Sequence, residues 1–329
     1  MDFQSYESIK EWKIQHIHEH TSDTRSLNDF HDEIMKLVFE LSLKIVSKKK
    51  GPLPCKFSWF VMGSAGRYEQ GIISDQDHGL VFEKKDHDSS NYFQILGEEI
   101  ALGLHIAGYP YCEGKVMSSN PLWCKGLKDW EAQLADWMET ESWESIRYSQ
   151  IFFDGRVLAG DEELLGNLKQ YVDRLILDYP KLLSRFMDNI MHINNSIGPF
   201  GQIFVEPNGR HQGSINIKRA AFIPYVNAVR ILAIKEGIHQ TSTLTRLELL
   251  SEKSDYAREL QVYKESFLRL LDYRLALIHQ VDDYEDVHFL SIKNLNRSEK
   301  KEMKQILKNG KQLHQYVHGI IEKGVQHGL

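Results

Sequence analysis

One segment restricts this chain more than any other: Phe57-Ser58-Trp59-Phe60-Val61-Met62 running into Gly63-Ser64-Ala65-Gly66. A short run dominated by aromatic and β-branched residues favours a buried extended strand. Two glycines within four residues then end it in a tight turn, where backbone conformations closed to other residues are needed. Gly71 to Phe82 reads as a turn followed by a second strand carrying Asp75-Gln76-Asp77, and Gln150 to Leu158 reads as a third strand bearing Asp154. Between them, apolar residues recur at helical spacing over 91–107 and 126–148, and an earlier helical stretch occupies residues 1–50. The first part is therefore a small mixed β-sheet flanked by helices.

After about residue 162 helical periodicity dominates to the end, with helices expected around 175–190, 220–236, 256–281 and 298–323. A chain of 329 residues exceeds one ordinary core, since single cores stop growing at about 250–300 residues. The expected organisation is α+β: a first domain over 1–170 with an N-terminal helical extension, then an all-α domain over 171–329.

Composition narrows the function classes. Hydrophobic residues at 42% and charged residues at 26% describe a globular protein and exclude disordered and fibrous classes. A formal net charge of −6 disfavours a nucleic-acid substrate, which is usually gripped through its phosphates by a basic surplus. Cys55, Cys112 and Cys124 form no CxxC pair, which argues against a disulfide framework or a structural zinc site. There is no apolar run near the roughly 18–20 residues a membrane span requires, and the N-terminus lacks the pattern of a signal peptide. The expectation is a reduced, cytoplasmic protein without a membrane partner.

The chemistry sits in the first domain. Side chains two apart on a strand share a face, so Asp75 and Asp77 converge while Gln76 points away. Two adjacent carboxylates repel unless a cation neutralises them, and oxygen donors suit Mg²⁺ or Mn²⁺. At the strand end, Gly63 lets backbone N–H groups approach a phosphate closely, Ser64 offers a hydroxyl donor, and Arg67 is placed where a guanidinium could reach a triphosphate. Taken singly, each feature has a plain reading: a turn, a solvated strand end, a cap. The order of the three is far more specific. The run His16, His18 and His20 reads as a solvated stretch, and Trp123, Trp130, Trp137 and Trp143 as packing. In the second domain Lys218 and Arg219 either reach toward a triphosphate or form a solvated pair at a helix start. Cys112 and Cys124 read as buried small hydrophobes.

These residues resemble a known family. Gly63-Ser64-Ala65-Gly66-Arg67-Tyr68-Glu69-Gln70 followed by Ser74-Asp75-Gln76-Asp77-His78 is similar to the signature of the DNA polymerase β nucleotidyltransferase superfamily. More narrowly, the chain resembles the nucleotidyltransferases related to the protein-PII uridylyltransferases, often found behind CBS or cyclic-nucleotide-binding domains. Gly108-Tyr109-Pro110-Tyr111-Cys112, Val116-Met117-Ser118-Ser119-Asn120-Pro121 and Phe153-Asp154-Gly155-Arg156 extend the likeness, as do Ile215-Asn216-Ile217-Lys218 and Thr245-Arg246-Leu247 in the helical part. The resemblance implies that Asp75, Asp77 and Asp154 hold Mg²⁺ or Mn²⁺, with Asp154 also able to act as general base. It implies that Gly63 and Ser64 hold a nucleoside triphosphate, and that a nucleotidyl group passes to a protein tyrosine or a small molecule. His78 stands where the family often has Asn and is expected to stay off the metals. The match begins near residue 30, so regulatory input is expected from a separate sensor protein. Two other functions fit the same residues: a nucleotide-binding regulatory module without turnover, and an antibiotic-type small-molecule nucleotidyltransferase.

Overall fold

A computed structural model describes residues 3–326 except 85, 194, 278–283 and 285, and the side chains of 258, 325 and 326. It divides into two compact units, residues 1–175 and 176–329. Among the described residues no helix is long and apolar enough to cross a membrane.

In the first unit, α1 (Tyr6–His16) and α2 (Thr24–Lys50) precede the strand β1 (Phe57–Val61). The helix α2 starts where the Asp23 carboxylate accepts the Ser26 N–H, and it stops at Gly51, whose φ of +90° favours a residue without a side chain. A one-turn helix α3 (Gly63–Gly66) follows β1, and β2 (His78–Phe82) returns antiparallel to it. After α4 (His87–Ile106), the short β3 (Cys124–Gly126) lies parallel to β2. The strand β4 (Arg156–Gly160) completes a mixed sheet in the order β3-β2-β1-β4.

All five residues of β1 are buried because helices cover both faces of the sheet. On one face Phe57 and Trp59 meet Phe39 of α2, with ring centroids 5.7 and 5.0 Å away. On the other, Phe60 meets Trp130 and Phe152 at 5.9 and 6.1 Å. This alternation fixes the register, since a slip of one residue would send every ring to the wrong face.

Two local expectations are corrected. The helix foreseen over 126–148 is two helices, α5 (Leu127–Thr140) and α6 (Trp143–Phe153). The chain breaks at Glu141, with φ of +50°, and restarts at Ser142, whose hydroxyl accepts the Ser145 N–H. The apolar pattern runs through the break because both helices bury residues in one core. The strand foreseen over 150–158 is helical up to Phe153, so Asp154 is the C-terminal cap of α6 and lies on no strand. Phe152 and Phe153 are buried from a helix, and from their type alone that cannot be told from burial in a strand. The expected packing role of the tryptophans holds for Trp123, Trp130 and Trp137, all buried, whereas Trp143 is exposed.

The helix α7 (Glu162–Asp178) leads into the second unit, which contains α8 (Leu182–Asp188), α9 (Ile223–Lys235), α10 (Thr243–Ser251), α11 (Ala257–Ala276) and α12 (Arg297–Gln326). Nearly every residue of α9 from Pro224 to Ile234 is buried, the mark of a central helix. A small antiparallel pair, β5 (Ser214–Asn216) and β6 (Phe289–Ser291), interrupts the helical pattern.

The second unit carries a pH signature. His314 is 4% exposed and its Nε2–H donates to the Ile190 carbonyl at 3.1 Å. Burial is the main cause that pushes its pKa down from 6.5 to about 4. The unfolded chain therefore takes up a proton below pH 6.5 that the folded unit refuses until about pH 4. Stability should fall across that window, by up to about 3 kcal/mol from this group, and level off below it. In His314→Gln, denaturant titrations at pH 7 and pH 4.5 should differ less than in the parent. An equal difference would refute the assignment.

Candidate active site

Between Val61 and His78 the chain makes one excursion, and it brings the sequence-singled residues Gly63, Ser64, Asp75 and Asp77 together. Met62 N–H donates to the Asp77 carbonyl at 2.8 Å, closing the excursion at the end of β1. The Ser64 and Ser74 hydroxyls are 3.0 Å apart across it. Gly63 has φ of +55°, and a Cβ built there would lie 2.0 Å from Asp77 Oδ2. The Asp77 carboxylate thus rests directly on the Gly63 Cα. Gly66 is required for another reason: a Cβ there would lie 2.1 Å from the Asp154 carbonyl oxygen.

Gln76 faces the other way, as the alternation demands. Its Nε2 donates to the Ala101 and Tyr109 carbonyls, both at 3.1 Å, and its backbone N–H donates to Pro110 O. Its Oε1 lies 2.9 Å from His78 Nε2. Trp59 Nε1–H donates to His78 Nδ1 at 3.3 Å, so that nitrogen is the acceptor and Nε2 carries the proton it gives to Gln76. Burial lowers the His78 pKa to about 3, which keeps the ring neutral. The expectation that His78 stays away from the carboxylates agrees with this placement on the opposite face.

Asp75 and Asp77 are half-buried, and a carboxylate oxygen from each lies within 4.8 Å of the other and of Cys112 Sγ. The Cys112 thiol hydrogen-bonds to Asp77, and burial first, then the Asp77 charge, raise its pKa. Cys112 is the residue the sequence reading missed, treating it as filler. The available signal was its place in Gly108-Tyr109-Pro110-Tyr111-Cys112, whose Tyr111 forms a parallel bridge with Gln76. Two hard carboxylates and one thiol are a donor set that fits a divalent ion, and the sulfur suits Mn²⁺ better than Mg²⁺.

Asp154 is placed differently from its companions. It is fully buried, and its Oδ2 accepts Arg67 Nη1–H at 2.7 Å, while Arg67 Nε–H donates to Glu69 Oε2 at 2.8 Å. Burial alone would lower the Arg67 pKa, but the charges of Glu69 and Asp154 outweigh it and hold the pKa raised. Among the described residues Asp154 does not join the group of possible metal ligands, and two edges of the Arg67 guanidinium are engaged with protein carboxylates. On the outer side of the turn, Arg156 donates from Nε and Nη2 to Ala65 O, forks onto Asp32 at 2.7 and 2.5 Å, and stacks on Tyr68 at 3.8 Å. The turn 63–69 is therefore gripped by two arginines. Lys218 belongs to the second unit, where its Nζ lies 3.4 Å from Tyr284 OH and 3.5 Å from His288 Nε2.

Residues 12–144 match the family described as "putative nucleotidyltransferase DUF294", and residues 180–320 match its "putative nucleotidyltransferase substrate binding domain". The chain belongs to the DUF294 nucleotidyltransferases. Gly63, Ser64, Arg67, Asp75, Asp77 and Cys112 fall inside the first match and Lys218 inside the second, while Asp154 lies between the two. The α+β organisation with a helical second part agrees with that membership. None of the curated proteins matches the chain.

The Gly63 contact yields a sharp test. In Gly63→Ala the new methyl must displace the Asp77 carboxylate, and the left-handed backbone there adds about 1 kcal/mol or more of strain. The expected result is a fall in nucleotidyl transfer of about 10²-fold, the scale of a misplacement near 1 Å. Substituting Gly166, where a Cβ would meet nothing within 4 Å, should leave the rate unchanged.

Proposed function

We propose that this DUF294 protein transfers a nucleoside monophosphate from a nucleoside triphosphate to a hydroxyl acceptor, using Mg²⁺ or Mn²⁺ held by Asp75 and Asp77. The carrying observation is the convergence of those two carboxylates on the Gly63 turn, with their oxygens and the Cys112 sulfur within 4.8 Å of one another. A divalent ion there supplies charge neutralisation for the α-phosphate and the leaving pyrophosphate. Gly63 and Ser64 present backbone N–H groups and a hydroxyl to the phosphates. Gln76 and His78 orient the carboxylate segment from behind.

The role proposed for Asp154 changes in the light of its surroundings. Its carboxylate holds Arg67, and through Arg67 the turn, which favours a positioning role for Asp154 over the ligand and general-base roles that the resemblance implies. Arg67 likewise serves the turn first and the triphosphate second. The acceptor is a protein tyrosine, as in the protein-PII uridylyltransferases that the motif resembles, or a small molecule. A signalling role and a cytoplasmic setting accompany that reading.

The test is direct. The full chain is incubated with each labelled nucleoside triphosphate and Mg²⁺ or Mn²⁺, and pyrophosphate release and label transfer are followed. Metal-dependent release that EDTA stops supports transfer. Tight nucleotide binding with no release across many acceptors would instead make the protein a nucleotide-binding regulatory module.

A further inference from the structure

The second unit brings together cations that the transfer chemistry of the first unit does not use. The strands β5 and β6 pair Asn216 with Phe289, and this register sets the residues just beyond them side by side. Lys218 lies two positions after β5, and His288 stands one position before β6. The chain after β5 enters a π-helical turn, Lys218–Phe222, whose Arg219 N–H is taken by Asn216 Oδ1 at 3.0 Å. Such turns are rare and frequent at functional sites. Lys218 and Arg219 are both exposed, and among the described residues neither has a carboxylate partner. The contacts of Lys218 are instead neutral groups, the Tyr284 hydroxyl at 3.4 Å and the His288 ring at 3.5 Å, and its ammonium also lies 5.7 Å from the centre of the Tyr284 ring. The nearby Asp286 carboxylate is engaged by Arg210 and His211.

His288 reports the resulting field. It is 9% exposed, and burial first, then the charges of Lys218, Arg274 and Arg219, lower its pKa to about 3. The Lys218 ammonium against the His288 ring and the guanidinium-bearing Arg219 next in the chain put two like charges at one end of the β5–β6 pair. Like charges so close repel, and an anion between them removes the repulsion. An ammonium and a guanidinium on adjacent residues, with a phenol alongside, offer several N–H and O–H donors and two full charges. A single carboxylate satisfies one of those charges, whereas a phosphate or pyrophosphate group satisfies both with charge-assisted hydrogen bonds.

We propose that Lys218 and Arg219, with His288 and Tyr284 beside them, form a binding site for a phosphate-bearing anion, and that the second unit fills it without a divalent metal. This goes beyond the transfer reading and does not depend on Asp75 or Asp77. The phosphate can come from the tail of a nucleotide or from a phosphomonoester on the acceptor.

The experiment uses the full chain carrying Asp75→Asn and Asp77→Asn, in EDTA, so that metal-assisted phosphate binding in the first unit is silent. Binding of inorganic pyrophosphate is measured by calorimetry at low and at moderate chloride. The expected result is saturable binding that weakens with salt and drops at least 10-fold when Lys218→Gln and Arg219→Gln are added. Lys218→Arg should keep most of the affinity, because the charge remains. Parallel titrations with ATP and with glycerol phosphate separate the sources: the tighter of the two identifies a nucleotide tail or a phosphomonoester. Melting curves without ligand show that the variants fold, which the exposure of both side chains leads us to expect. Pyrophosphate binding that is undiminished in the Lys218→Gln, Arg219→Gln protein, or no binding to the folded parent at millimolar pyrophosphate, would overturn the proposal.

Discussion

Asp77→Asn should lower nucleotidyl transfer by at least about 10²–10³-fold, the loss that follows removal of one preorganised electrostatic group from a reacting centre. The asparagine keeps the shape and still fits over the Gly63 Cα. It removes the charge that an ion beside the phosphates requires and one of the two oxygens that could bind it. The same substitution should leave folding almost untouched, because the segment is held by backbone contacts that do not involve the carboxylate: Met62 N–H to Asp77 O, and His78 N–H to Val116 O. Pyrophosphate release against time, with a melting curve alongside, checks both halves of the statement. A variant that keeps more than about a tenth of the parent rate would remove Asp77 from the centre.

Arg67→Met should have the largest effect on stability in the first unit. It removes the guanidinium that neutralises Asp154 and Glu69, which are 0% and 2% exposed. Breaking a buried pair by removing one partner costs about 3–5 kcal/mol, well above the roughly 0–1 kcal/mol of an exposed pair. Asp154→Asn should cost less, because Arg67 keeps Glu69 and the asparagine buries no charge. The two changes should also be less than additive, since they touch one network. The Asp154→Asn variant decides more than stability. A metal ligand at this position would make the variant inactive at unchanged stability. A positioning residue makes activity fall together with the order of the turn, and both should recover in part when the assay temperature is lowered. Urea unfolding followed by tryptophan fluorescence, set beside the rate at two temperatures, separates the outcomes.

The parts of the site legible in the sequence were those that depend on local spacing. Gly63-Ser64 after an apolar run and Asp75-x-Asp77 before one carry their geometry with them, because the period of an extended chain decides which side chains share a face. Gln76 turned away, as that period requires, and its bonds to Ala101 and Tyr109 show what it does there. Cys112 was illegible because it reaches Asp77 through a bridge between Gln76 and Tyr111, a pairing of segments far apart in the chain. The strand expected at Asp154 is absent for a related reason. Phe152 and Phe153 suit a buried strand as well as a buried helix, and only their packing on the sheet decides between them. The three-residue strands β3, β5 and β6 are too short to leave a periodic trace.

The seating of Asp77 on a bare Cα has a consequence for the energetics of turnover. Strand end and acid are tied by the Met62–Asp77 backbone bond, and the carboxylate lies against the bare Gly63 Cα. If Asp77 serves the transfer proposed above, folding itself sets the place of that acid, and a substrate would spend less of its own binding energy on arranging it.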